Sequence, residues 1–447
     1  MEIDPLAQDQ LTVLSKSTAY NKIKLIPRII LFTSLTALFI LGLLWPYSVG
    51  ALMLGIAFTN YLLLLSFRLA NIEKPVKSVL SAKQKEVHHD LSLTILLPLK
   101  NEGEVIRQTI QAIDNQDYPK ELCELIIIVE NSDLYTQSVL SAIALPKTAK
   151  ILLIPSLNPF TKGRALLHGL QAAKNTIITV FDAESQPEPD QFSKALSILH
   201  HDPDKYCIQS KVRISNKDQN WITRNFATEY FEWFDQFLQE QSNIGKVFGL
   251  GGNSFYISRS NLLKSGSWDP FNVTEDAELS VRLIQHGVEL KLIDSYTFES
   301  CPSTMDNWLL QRVRWNKGLL ITQLVHLIPT FGTNGFNLSQ WFSFWTRMLA
   351  GTALPFFNLY VLSYFIYTWF SPRVSLYADL AMWTLMVVSI GFMVLLNSIS
   401  FKRLKISRNP LPLIFGGIGY IALHISAGYM AYYEYFVKPL KWNNTRH

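Results

Sequence analysis

From Ile29 to Phe67 the chain carries no charged residue, and that stretch decides which architectures are open to it. At about 1.5 Å of rise per residue it is far too long for one crossing of a bilayer core roughly 30 Å thick. Trp45-Pro46-Tyr47-Ser48 near its middle supplies a turn and interfacial aromatics. The stretch reads as two antiparallel transmembrane helices, 29–46 and 49–68. A cleaved signal peptide with one helix is the alternative; the late apolar start and the lack of a small-residue cleavage site oppose it. Lys16, Lys22, Lys24 and Arg28 precede the first helix, and Arg68, Lys74, Lys77, Lys83 and Lys85 follow the second. Two basic flanks put residues 1–28 and the block after 68 in the cytoplasm.

A second apolar region spans 341–433, with candidate helices at 349–370, 377–399 and 411–433. Lys402, Arg403, Lys405 and Arg408 mark a cytoplasmic loop before the last of these. Three crossings leave the tail, 434–447, outside; Pro355 could split one apolar stretch into a re-entrant pair and make four. Composition agrees with a membrane chain, being 49% hydrophobic and only 17% charged. A net charge of +5 does not describe a nucleic-acid binder, though it suits an anionic membrane face. Cys123, Cys207 and Cys301 are scattered without C-x-x-C spacing and read as reduced thiols, and His88-His89 lacks a third metal ligand.

Residues 90–335 behave differently. Short β-branched runs at Leu93–Pro98, Leu125–Val129, Ile151–Ile154 and Thr176–Phe181 alternate with amphipathic stretches such as Glu104–Asn115 and Arg164–Ala173. This alternation predicts βαβ units and a mostly parallel sheet, an α/β fold that binds ligands beyond the carboxyl ends of its strands. Three strand ends carry acids there: Asn101-Glu102, Glu130-Asn131-Ser132-Asp133 and Asp182-Ala183-Glu184. Neither G-x-G-x-x-G nor G-x-x-x-x-G-K-[ST] occurs, which leaves dinucleotide dehydrogenases and P-loop NTPases unsupported.

Three polar signatures follow one another through this block. Asp182-x-Glu184 offers two hard oxygens suited to Mg²⁺ or Mn²⁺, or else a plain acidic loop before Pro187. Thr274-Glu275-Asp276 opens a helical stretch, Glu275–Gln285, which Thr274 or Asn272 can cap. Its acids either favour the helix dipole or supply a general base. Gln311-Arg312-Val313-Arg314-Trp315 lies on a helix starting near Ser303 or Asp306, with Gln311, Arg314 and Trp315 on one face. Such a face can grip a diphosphate and stack on a sugar ring, or dock at a membrane surface.

In this order the motifs resemble those of the membrane-embedded family-2 inverting glycosyltransferases. Cellulose synthases, hyaluronan synthases and bacterial exopolysaccharide glycosyltransferases belong to that family. The resemblance covers 93–325 and the layout of the membrane segments, and is closest to the bacterial exopolysaccharide subgroup. It implies a GT-A domain inserted between transmembrane helices. It also implies a nucleotide-sugar pocket at Pro98, Asn101, Glu102, Glu130, Lys162, Asp182, Gln311 and Arg314. Asp182 and Glu184 match the metal pair for Mg²⁺ or Mn²⁺. Gly251, Gly252, Asn253 and Trp315 match the acceptor side, and Asp276 with Glu275 the base. Glu130 and Glu184 stand where the family usually has Asp, and each keeps the charge with one more methylene. The implied activity is transfer of a hexose from a UDP-sugar to a growing polysaccharide, at the cytoplasmic face of a bacterial inner membrane. A non-processive transferase making a glycolipid is the alternative. So is a catalytically degenerate scaffold or transporter, although Arg347, His424 and Glu434 are almost the only ionisable groups in or near the apolar segments.

Overall fold

The computed structural model describes residues 2–14, 18–45, 90–103, 105–239, 241, 249–327, 398–406 and 410–439, with isolated positions between 336 and 395. Eight strands form one sheet: β1 (Leu93–Leu99), β2 (Cys123–Glu130), β3 (Ala149–Ile154), β4 (Ile177–Val180), β5 (Gln186–Pro187), β6 (Tyr206–Ile214), β7 (Phe255–Ser258) and β8 (Glu289–Glu299). Their order is β3-β2-β1-β4-β7-β6-β8-β5.

β1 pairs in parallel with β2 on one side and β4 on the other, Leu93 facing Cys123 and Ile177. Its side chains alternate between two buried layers, which is why a nearly unbroken apolar run serves as a central strand. Leu93, Ile95, Leu97 and Leu99 join Ile106, Ile110, Phe192 and Leu196 on one face, while Leu96 joins Leu166, Leu170, Leu279 and Leu283 on the other. Amphipathic helices cover both faces, so the block is a three-layer α/β/α structure.

The sheet is mostly parallel, as predicted, but it also carries antiparallel pairs that the alternation does not foretell. β7 runs antiparallel to both β4 and β6, and β6 then pairs in parallel with β8. The four predicted strands match β1 to β4; β7 is a short buried run, Phe255-Tyr256-Ile257-Ser258, that was not among them, and β6 and β8 interleave polar residues. Buried Gln209, Ser210 and Lys211 break the pattern in β6.

The helices, in chain order, are α1 (Pro5–Leu14), α2 (Ala19–Lys22), α3 (Leu25–Leu44), α4 (Ile106–Asp114), α5 (Leu134–Ser141), α6 (Lys162–Ala172), α7 (Gln191–His201), α8 (Trp221–Tyr230), α9 (Arg259–Lys264), α10 (Glu275–Gln285), α11 (Met305–His326) and α12 (Pro410–Val437). A π-helical segment, Phe231–Leu238, continues α8. α3 begins before the apolar stretch, with Pro27 tolerated in its first turn. It leaves Ile26, Ile29, Ile30, Phe32 and Leu44 exposed. Among the described residues no helix is long and apolar enough to cross a membrane. The expected segments 49–68 and 349–370 and most of 377–399 lie outside the described residues. α12 runs past the expected 411–433 because its end makes polar contacts: Lys317 Nζ donates to Glu434 Oε2 at 2.9 Å and the Tyr435 hydroxyl to the Lys22 carbonyl at 2.8 Å.

Candidate active site

The chain leaves β1 towards β2 and β3 on one side and returns to β4 on the other, so the order reverses between β1 and β4. A crevice beyond the carboxyl ends at such a point is where open α/β sheets bind ligands. Asn101 and Glu102 follow β1 and Asp182 follows β4. Asn101 takes φ of 54°, a left-handed turn that Asp133 holds by accepting the Asn101 amide at 2.6 Å. The same Asp133 caps α5 through the Thr136 amide at 3.0 Å.

Lys162, the first residue of α6, ties the crevice together. Its ammonium donates to Asp182 Oδ1 and to the Gly252 carbonyl, the latter at 2.9 Å. Burial pulls this amine down, but Asp182 and then Glu275 and Asp276 hold it above the ordinary lysine value. The start of α6 is pressed against the 269–270 backbone, where a Cβ on Gly163 would lie 2.9 Å from the Asp269 carbonyl. Thr161 caps the helix and donates to the Pro270 carbonyl at 2.6 Å.

Asn253 bridges two carboxylates: its Nδ2 donates to Asp182 Oδ2 at 3.2 Å and to Glu299 Oε1. Ser185 Oγ donates to the same Glu299 oxygen at 2.9 Å. Glu299 ends β8 and was not foreseen; recognising the alternation of Glu289–Glu299 as a strand would have exposed it as a fourth acidic strand end. Burial, then Glu184 and Asp182, raise its carboxyl to about 8. Burial, then Asp182 and Glu102, raise Glu184 to about 8 as well. Carboxylates that raise one another in this way lack enough positive charge around them.

The second pair stands opposite, at the first turn of α10. No side chain caps this helix, neither Thr274 nor Asn272 doing so as expected. Asn272 Oδ1 instead accepts the Thr274 amide at 3.0 Å. Asp276 is bonded by its own amide and that of Ala277, and the loss of water still raises it. Glu275 is buried and rises to about 7, through burial first and Asp276 second. Gly252 takes φ of +82°, and a Cβ there would lie 3.1 Å from Asp276 Oδ2, so only glycine lets the backbone pass this carboxylate. Gly251 donates its amide to Gln209 Oε1 at 2.9 Å.

The remaining expected residues surround this centre. Pro98 lies within β1 opposite Ile128. Glu130 ends β2 but is engaged by a cation, Arg164 Nη2 at 2.7 Å. Gln311 is buried, and its Oε1 has no partner among the described residues. Trp315 stacks on Tyr230, ring centroids 6.4 Å apart at 30°. Burial and then the Glu299 charge push the Tyr230 phenol up, so this aromatic shelf adjoins the acid cluster. Arg314 lies on α11 next to Trp315 in sequence and is half-buried. Arg312, inside the same motif, serves the scaffold: it donates to Glu229 Oε1 at 2.6 Å and lies 4.4 Å from the Trp315 ring centroid. α11 reaches α10 at Gly318, where a Cβ would lie 2.8 Å from the Thr274 amide nitrogen.

Among the described residues no three His, Cys, Asp or Glu side chains form a ready-made metal cage. Mg²⁺ and Mn²⁺ rarely need one, since one or two carboxylates and substrate phosphates complete their shells. Asp182 and Glu184 supply such oxygens. Beside Asp182, Asn253 Oδ1 is buried without a partner among the described residues. The donor set fits a hard divalent cation.

Residues 177–396 match the family described as "Glycosyl transferase family group 2". A probable glycosyltransferase, YdaM, of Bacillus subtilis is 30% identical over 232 residues, 51% of this chain and 54% of that one. A beta-monoglucosyldiacylglycerol synthase of Nostoc is 27% identical over 241 residues, 53% of this chain and 50% of that one. The chain thus spans about half the length of these curated relatives. Among solved structures, a mannosyltransferase from Pyrobaculum calidifontis, in complex with GDP-Man and Mn²⁺, superposes with a TM-score of 0.59 at 16% identity, covering 86% of this chain and 99% of that one. That likeness concerns the fold, which is mixed α/β of the GT-A type.

Proposed function

We propose that this chain, whose residues 177–396 match the family described as "Glycosyl transferase family group 2", is a glycosyltransferase that moves a hexose from a nucleoside-diphosphate sugar to an acceptor hydroxyl with inversion at the sugar carbon. The observation that carries this reading is the Lys162 ammonium joining Asp182 to the Gly252 carbonyl, with Glu275 and Asp276 opposite. Donor-side and acceptor-side groups thereby meet in one crevice.

In the reaction the acceptor oxygen attacks the anomeric carbon as the bond from that carbon to the diphosphate breaks. Asp276 takes the hydroxyl proton. Its carboxyl lies above the ordinary aspartate value, closer to the working pH, which favours a general base. Lys162 places positive charge beside the departing diphosphate, and Arg314 adds a second cation from α11. Asp182 and Glu184 would hold Mg²⁺ or Mn²⁺, which when bound supplies charge neutralisation to the diphosphate. The open backbone at Gly252 admits the acceptor, and Trp315 on Tyr230 offers it an aromatic face.

The donor in this reading is a UDP-hexose, and the acceptor is a growing polysaccharide at the cytoplasmic face of an inner membrane. The exposed apolar residues of α3 support membrane attachment. A lipid acceptor is the second reading, favoured by the glycolipid synthase among the relatives. The test is incubation of the full chain, in membranes or detergent, with labelled nucleotide sugars and Mn²⁺, followed by sizing of the product. Nucleoside diphosphate release with a labelled glycan or glycolipid is expected. Folded protein that releases none with any hexose donor and membrane lipid would sink the proposal.

A further inference from the structure

The amino-terminal residues fold onto the catalytic block before the chain enters α3, and one of their side chains reaches the donor half of the crevice. Ile3 forms a parallel bridge with Asn158, and the Asp4 amide donates to the Asn158 carbonyl at 2.7 Å. This clamp delivers the Asp4 carboxylate to the interior, where it is only 1% exposed. Oδ1 accepts the Leu6 amide at 2.9 Å and starts α1. Oδ2 accepts from Arg164 Nη1 at 2.9 Å and lies 2.8 Å from His168 Nε2.

Arg164 has no exposed side-chain surface and spans two carboxylates with its fork. Nη1 serves Asp4 and also the Pro155 carbonyl at 2.6 Å, while Nη2 serves Glu130 Oε1 at 2.7 Å. Lys100 Nζ stands 3.8 Å from that same Glu130 oxygen. Every polar contact to this carboxylate among the described residues falls on Oε1, which leaves Oε2 for a ligand. A buried guanidinium is held in one place only when its charge is matched and its donors are bonded, and here a residue 160 positions away supplies one of the two charges. Without Asp4, Arg164 keeps one carboxylate and gains freedom to turn, and Glu130 loses its fixed orientation.

We infer that Asp4 is a positioning residue of the donor pocket: through Arg164 it fixes the Glu130 carboxylate at the end of β2 so that Oε2 is presented to the nucleoside part of a donor. This rests on the reading of the crevice as a nucleotide-sugar site. The amino-terminal segment is then part of the specificity machinery, ordered before any donor arrives. A preorganised acceptor avoids the entropy of fixing a glutamate side chain during binding.

Calorimetric titration of the full chain with UDP, GDP and inorganic pyrophosphate, each with Mn²⁺, tests this. Pyrophosphate reports the phosphate and cation end alone. In Asp4→Ala the affinity for the preferred nucleoside diphosphate should fall roughly ten- to a hundredfold, the scale of one hydrogen bond to a charged group, while pyrophosphate affinity stays within twofold. Equal weakening of both probes would show a general structural role and overturn the inference, as would unchanged binding of both. If Asp4→Ala does not fold, Asp4→Asn carries the test, with the same selective loss expected and unchanged binding overturning it. Wild-type protein that binds pyrophosphate but neither nucleoside diphosphate would refute the nucleotide reading itself.

Discussion

Two glutamates one turn apart on α10 live in opposite electrostatic worlds. Glu275 faces Asp276 and Asp182 with Lys162 as the cation among them, and rises to about 7 through burial and then Asp276. Glu278 is equally buried, yet burial is outweighed by Arg282 and His326, and its carboxyl falls to about 2. Arg282 grips it with Nε at 2.8 and 3.0 Å and Nη2 at 2.5 Å, and His326 Nε2 lies 2.9 Å away. The second site is complete without any ligand. The first is short of positive charge, the mark of a site that awaits a cation, a proton or a substrate.

The contrast breaks most visibly at Glu278. Glu278→Gln should destabilise the protein by about 3–5 kcal/mol, because it strands a buried arginine, while turnover per folded molecule stays within a few-fold. Thermal unfolding and active-site-normalised rates read the two effects separately. Gly252→Ala comes next. At φ of +82° an alanine should cost roughly 1–2 kcal/mol in stability, and crowding of Asp276 should lower turnover more than the melting temperature suggests. A rate loss no larger than the loss of folded protein would remove the claim that this contact shapes the site.

The smallest effect is graded with pH. Glu184 and Glu299 move from the ordinary glutamate value of 4.5 to about 8, so the folded state binds more protons than the unfolded one between those values. Their contribution to stability is therefore lost as pH rises through that window. Glu278 moves the other way, from 4.5 to about 2, and its contribution is lost as pH falls through the acid window. Melting temperatures across pH should show both limbs. Glu184→Gln should flatten the upper one, and an unchanged upper limb would contradict the assignment.

The same division explains what the sequence revealed. The apolar runs of β1 to β4 are strands buried on both faces, and hydrophobic burial writes itself directly into residue type. Asp182 and Asp276 could be picked out because each sits at an element end in a recognisable string, and Lys162 through the family resemblance. Glu299 ends a strand whose alternation is interrupted at Asp294 and Ser295, so the one local signal that marks it, the alternation of Glu289–Glu299, is weak. Asp4 resembles any polar residue near a chain start, since its importance comes from Arg164, far away in sequence. Arg312 lies in a plainly visible motif but packs against Glu229, a pairing that only the tertiary fold reveals. Glu130 was legible as an acidic strand end, but not its partner.

The most direct test of the central claim is sugar transfer by Asp276→Asn against wild type, with unfolding curves confirming that both are folded. Loss of a general base predicts a fall in turnover of about 10²–10⁴-fold with donor affinity retained. Transfer at the wild-type rate by a folded Asp276→Asn protein would contradict the assignment of the crevice as the catalytic centre.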